Sequence, residues 1–174
     1  MSIAASHPAA VGQVLDRIRA GPDWQNFTGN LTVEGDVSRV KLRVAGNVVF
    51  AGDCSEAEIV AAQGSAFFLY GASTNMLVHA GRNIYVRHAT LTTLAAKHDI
   101  VIEQSVMRSI LTAGDKVVSE SAAGRIIGGE CHAGRQIRVN SAGNDAGLPT
   151  ILTIGSAAGA LVVQQLYPNV TVTI

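Results

Sequence analysis

VHAGRNIYV (78–86), LAAKHDIVI (94–102), LTAGDKVVS (111–119) and CHAGRQIRV (131–139) are four versions of one unit. Each carries an apolar residue, a variable one, Ala, usually Gly, two polar residues and a β-branched residue that opens a strand. The Ala positions are Ala80, Ala96, Ala113 and Ala133. The strand-opening positions are Ile84, Ile100, Val117 and Ile137, separated by 16, 17 and 20 residues. A unit this short supplies one turn of a solenoid, whereas a helical-pair repeat needs more than about thirty residues. Strand formers punctuated by Gly, Asn and Asp predict a parallel β coil, in which equivalent positions stack in rows ~4.8 Å apart.

The rows follow from that stacking. Ala80, Ala96, Ala113 and Ala133 make a small-residue row at a tight inside corner. Gly81, Gly114 and Gly134 make a turn row where positive φ is cheap, interrupted by Lys97. Arg82, His98, Asp115 and Arg135 form an exposed polar row, and Asn83, Asp99, Lys116 and Gln136 a second one. Ile84, Ile100, Val117 and Ile137 point inward. Two residues on, Val86, Ile102, Ser119 and Val139 continue the inward face at period two.

The composition agrees. The chain of 174 residues is 48% hydrophobic but 5% aromatic, so its core is aliphatic, as a narrow coil filled turn by turn requires. Thirteen basic and thirteen acidic side chains balance, which argues against a nucleic-acid partner or an anionic membrane held by bulk charge. Cys54 and Cys131 match no metal or redox spacing and read as small buried residues. No secretory signal is visible, and no run approaches the ~20 apolar residues of a membrane span. The expectation is a soluble, cytoplasmic protein.

Taken in order, residues 8–20 place Val11, Val14, Leu15 and Ile18 on one helical face, with Ser6 as cap and Gly21-Pro22 as stop. This predicts a short helix covering the first turn, within an N-terminal segment 1–29. Residues 30–155 form the coil, in about seven or eight turns. Ala45, Gly46 and Val49 are assigned to the Ala, Gly and strand rows, Gly64 and Phe67 to the next turn, and Phe67 to the core. AAGRIIGGE (122–130) lacks the Lys-Ser/Thr of a phosphate-binding loop and reads as a bulged corner. Residues 156–166 are weakly helical or a covering strand. YPNVTVTI (167–174) is an alternating strand with Val170, Val172 and Ile174 on one face.

Residues 105–155 resemble the β-helical domain of the flagellar assembly protein A (FapA) family. The resemblance rests on Ser109 to Ala113, GRIIGG (Gly124 to Gly129), Ala133 to Ile137 and TILTIG (Thr150 to Gly155), with the terminal LYPNVTVTI similar to that family's closing strand. It extends over roughly residues 30–174. Many members carry a large N-terminal domain and a charged helical hairpin before the closing strand. Here fewer than thirty residues stand before the coil and about a dozen apolar residues fill the hairpin's place, so the resemblance is to a shortened form. The resemblance implies a right-handed parallel β-helix, a cytoplasmic bacterial protein, no known catalysis and a link to flagellar or cell-surface organisation. Bactofilins and the MinC C-terminal domain are more distantly similar and self-associate.

No catalytic, cofactor or metal constellation emerges. His79 and His132 share a row but stand three turns apart, ~14 Å, too far for one ion. Arg82, His98, Asp99, Asp115, Lys116 and Arg135 form a polar ladder whose alternating signs neutralise one another, and which a glycosidase's paired carboxylates do not fit. The expected function is therefore a non-enzymatic scaffold without cofactor that self-associates through its ends or one flat face, with Val170, Val172 and Ile174 as the candidate strand. The alternative is a carbohydrate-binding or carbohydrate-active face around Arg82, Asp115 and Arg135. A third candidate surface is a partner loop at 122–130, with Arg125, Gly128, Gly129 and Glu130.

Overall fold

The computed structural model describes residues 12–15 and 23–174. Its eighteen strands wind into a three-sided β-solenoid of about eight turns. Every strand pairing is parallel. We call the three stacks sheets A, B and C, in the order the chain visits them.

Sheet A stacks Leu31, Val48, Ala66, Ile84, Ile100, Val117, Ile137 and Leu161 in one inward row. Sheet B stacks Val37, Cys54, Ala72, Ala89, Val106, Ile126, Ala142 and Leu166. Sheet C stacks Leu42, Ile59, Val78, Leu94, Leu111, Cys131, Leu152 and Val172. The inward rows make one continuous buried cluster. Volume is matched within a turn: Phe50 and Phe68 stack at 5.1 Å inside the coil, and the turn holding Phe68 has Ala66 and Ala72 beside it.

The Ala row is as expected: Ala80, Ala96, Ala113 and Ala133 are in register and buried. It continues as Val44 and Ala61 below and Ile154 above. Ala45, Gly46 and Val49 therefore sit one residue away from their expected rows. Val48, not Val49, aligns with Ala66 and Ile84. Because side chains alternate, a one-residue slip turns each to the other side of the sheet. Phe67 is buried, but in a separate outer cluster with Val49, Leu69 and Tyr85, its ring stacked on Tyr85 at 4.6 Å. Phe68 is the core residue.

The Gly row is real, but its reason differs from the expected one. Gly81, Gly114 and Gly134 do not have positive φ. A Cβ on Gly114 would lie 2.0 Å from the Lys97 carbonyl oxygen, and one on Gly134 2.0 Å from that of Gly114. The glycines are there because successive turns touch at the C-to-A corner.

Beside them runs a ladder of side chains bonded to backbone. The Asn47 amide donates to Asn30 Oδ1 (2.8 Å), Ser65 to Asn47 Oδ1 (2.8 Å) and Asn83 to Ser65 Oγ (3.2 Å). The series continues with the Asp99 amide on Asn83 Oδ1 (3.1 Å) and Lys116 on Asp99 Oδ1 (3.1 Å). Left-handed conformation belongs instead to the B-to-C corner. There Arg39, Glu56, Asn75, Leu91, Arg108, Gly128, Gly147 and Asn169 have φ between 46° and 68°. A residue with a Cβ costs about 1–2 kcal/mol there.

Of the predicted helix, Gly12–Leu15 is a strand paired with Asn30–Val33, and the remainder lies outside the described residues. The four-residue segment pairs with the coil because its backbone completes an edge that the helix was expected to cover. At the other end, Ala160–Leu166 and Val170–Thr173 pair with Gln136–Ala142 and Thr150–Ile154, so the coil continues past residue 155. Likewise Trp24–Phe27 pairs with Lys41–Val44.

Urea unfolding tests the corner. Gly134→Ala should lose about 2 kcal/mol or more, since backbone must move to admit the methyl group. Asn83→Ala should lose about 1–3 kcal/mol by leaving the Asp99 amide without its acceptor, while Asn83→Asp keeps most of the stability.

Candidate functional site

The polar ladder lies on the C-to-A corner, where the backbone bonds His98 to Arg82, Asp115 to His98 and Arg135 to Asp115 in succession. Its members divide by what their side chains touch. Arg135 grips Asp115 with both ends of its guanidinium, Nη2 donating to Oδ2 at 2.7 Å and Nε to Oδ1. That bond, with smaller help from the charges of Arg135, Lys116 and His98, holds the Asp115 carboxyl below the usual carboxylate range. A general acid needs the opposite shift. Asp99 spends one oxygen on the Lys116 amide. Arg82 and His98 remain exposed, with Lys97 beside them.

The other titratable groups are also accounted for. His132 meets Glu130 at 3.2 Å on the outer side of sheet C, and His79 stands three registers away in the same row, past Ala95 and Thr112. Among the described residues no three His, Cys, Asp or Glu side chains converge as a metal site. Cys131 occupies the Val78–Leu111 row, and burial pushes its thiol up to about 12. Burial raises Cys54 further, with the charges of Asp53 and Asp36 adding to it. Neither is poised as a nucleophile.

The segment proposed as a partner loop is mostly strand. Only residues 119–124 leave the coil, and Arg125–Ala133 forms sheets B and C without a break. Arg125 and Glu130 are exposed on the two sheets, with Gly128 and Gly129 between them at the corner. Gly128 and Gly129 have φ of 68° and 85°, and a Cβ on Gly129 would lie 2.2 Å from the Ser109 carbonyl oxygen. In the next turn Thr150 Oγ1 accepts the Gly128 amide at 2.8 Å and donates to the Leu148 carbonyl at 3.1 Å. The GRIIGG and TILTIG motifs thus meet in space. The pair of glycines turns the corner and the threonine satisfies its buried amide.

The third candidate surface is the last turn. Val170, Val172 and Ile174 alternate along one side, and Val172 is in register with the fully buried Leu152. That side faces the interior of the coil, yet Val172 is 37% and Ile174 59% exposed, because no described strand lies over them. Sequence reasoning singled out these residues but missed Leu166 of Ala160–Leu166, which is in register with the buried Ala142 and 55% exposed in the same open turn. No apolar alternation in ALVVQQL marks it, and its place shows only in the pairing with Gln136–Ala142.

This architecture defines a β-solenoid protein. The chain belongs to the FapA family: the family model of the Flagellar Assembly Protein A beta solenoid domain matches residues 25–174. Neither a curated protein nor a solved structure shows significant similarity to it.

Two outcomes test this reading. Thr150→Val, of similar shape, should cost about 1–3 kcal/mol by stranding the Gly128 amide. Arg135→Ala should raise the Asp115 pKa toward its ordinary value in an NMR titration. Since the folded-state value is depressed, the pair's contribution is present above the unfolded pKa of about 4 and is lost as pH falls through the folded value.

Proposed function

We propose that this chain is a non-enzymatic FapA-type scaffold that joins copies of itself through its last turn. The observation carrying the proposal is the character of that turn. Ala160–Leu166 and Val170–Thr173 each pair along one edge only among the described residues. Leu161, Val163 and Val170 are only partly buried against the core. From residue 146 to 174 there is no Asp, Glu, Lys, Arg or His. Soluble proteins guard exposed strand edges with charge, most often Lys. An uncharged edge suits a contact between identical copies, because under two-fold symmetry a charge near the axis would meet itself.

Asp115 and Arg135 satisfy one another, which leaves the polar corner without the free carboxylate pair that sugar cleavage needs. The family's description names flagellar assembly, which supports a role in flagellar or cell-surface organisation in a bacterial cytoplasm. No helix among the described residues is long and apolar enough to cross a membrane.

Light scattering across a concentration series is the test. The wild type should rise from the monomer mass of 18.1 kDa to at least a dimer. Leu166→Lys/Val172→Lys should remain monomeric, and Leu77→Lys, on the outer side of sheet C, should associate like the wild type. A wild type that stays monomeric, or a double variant that associates normally, overturns the proposal.

A further inference from the structure

A second surface lies on the C-to-A corner, on the side of the ladder away from the Asp115–Arg135 pair. Close contact between turns forbids a side chain at Gly81 and Gly114, and Ala95 separates His79 from Thr112 in the neighbouring row. The missing side chains leave a groove of ≈ 700 Å³ with Lys97 standing in it between the two glycines. Gln63, Arg82 and His98 line one border, and His79 and Thr112 the other. The lining comes from four successive turns, a length of ~14 Å at the strand spacing.

The groove is cationic and has no carboxylate in its lining. The sequence has no acidic residue between Glu58 and Asp99, while Arg82, Arg87 and Lys97 fall in that interval. The two nearest acids are engaged elsewhere, Asp99 with the Lys116 amide and Asp115 with Arg135. Among the described residues neither Arg82 nor Lys97 has an ion-pair partner. Lys97, which breaks the glycine row, is exposed and adds charge to the groove.

We infer that this groove holds an extended acidic peptide segment of a protein partner. A run of about four residues spans its length at 3.3 Å per residue. Its carboxylates meet Arg82, Lys97 and the two imidazoles, and its backbone meets the donors and acceptors of Gln63 and Thr112. No Phe, Tyr or Trp side chain lines the groove. It therefore lacks the large aromatic rings on which successive bases of a single strand stack and on which a sugar ring packs.

Fluorescence anisotropy with a labelled hexaglutamate peptide tests the inference, with hexaglutamine, a thymidine oligonucleotide and an oligogalacturonate as comparisons. Hexaglutamate should bind at least tenfold tighter than each comparison and weaken as salt screens the charges. Arg82→Glu/Lys97→Glu should reduce that binding at least tenfold. Arg125→Glu, an exposed arginine outside the groove, should leave it unchanged. Light scattering on the same variants should match the wild type, which separates this site from the self-association surface. Equal binding of hexaglutamine, tighter binding of the oligonucleotide or oligogalacturonate, or insensitivity to the double charge reversal overturns it.

Discussion

At the C-to-A corner, Asn30, Asn47, Ser65, Asn83 and Asp99 each accept the backbone amide of the next turn. The rest of the coil depends on this series. A solenoid turn must hand the chain upward by one strand spacing without losing register, and a slip of one residue would turn the aliphatic rows outward. A short side chain with an acceptor, placed one residue before the strand, locks the height and the phase of the next turn together. The glycine row beside it has the matching steric role, since turns held this close leave no room for a Cβ at Gly114 or Gly134.

The GRIIGG and TILTIG motifs belong to this mechanical logic. Gly128 and Gly129 turn the second corner with left-handed backbone, and Thr150 caps the amide that the turn buries. The same corner is crossed by Leu91 and Arg108, which tolerate the strained conformation as single residues. What remains outward is surface: an uncharged end at residues 160–174 and a cationic groove over Gly81 and Gly114. They lie on different parts of the coil.

Much of this was legible from residues 78–139, where Ala and β-branched positions repeat with little substitution. The earlier turns were misread by one residue because Val44 occupies the Ala position and Ala45 follows it, so identity pointed to the wrong register. Phe67 was placed inside for the same reason. The glycine row was visible, but its cause was not, since proximity between turns leaves no trace in local sequence. The hydrogen-bond ladder was hidden by its mixture of Asn, Ser and Asp, which share an acceptor rather than a name. The alternation in VTVT marked a strand while ALVVQQL read as weakly helical or a covering strand, and only the pairing with Gln136–Ala142 and Thr150–Ile154 shows that they are one further turn. Groove and open end depend on residues that are close in space and far apart in sequence.

The central claim is that copies of this chain join at the last turn. Amide hydrogen exchange measured at low and high protein concentration tests it most directly, because it reads the backbone edge itself. The account predicts that amides in residues 160–173 become protected as concentration rises, while those of the inner turns stay unchanged. Exchange in 160–173 that is independent of concentration, or new protection confined to the outer side of sheet C, would contradict it.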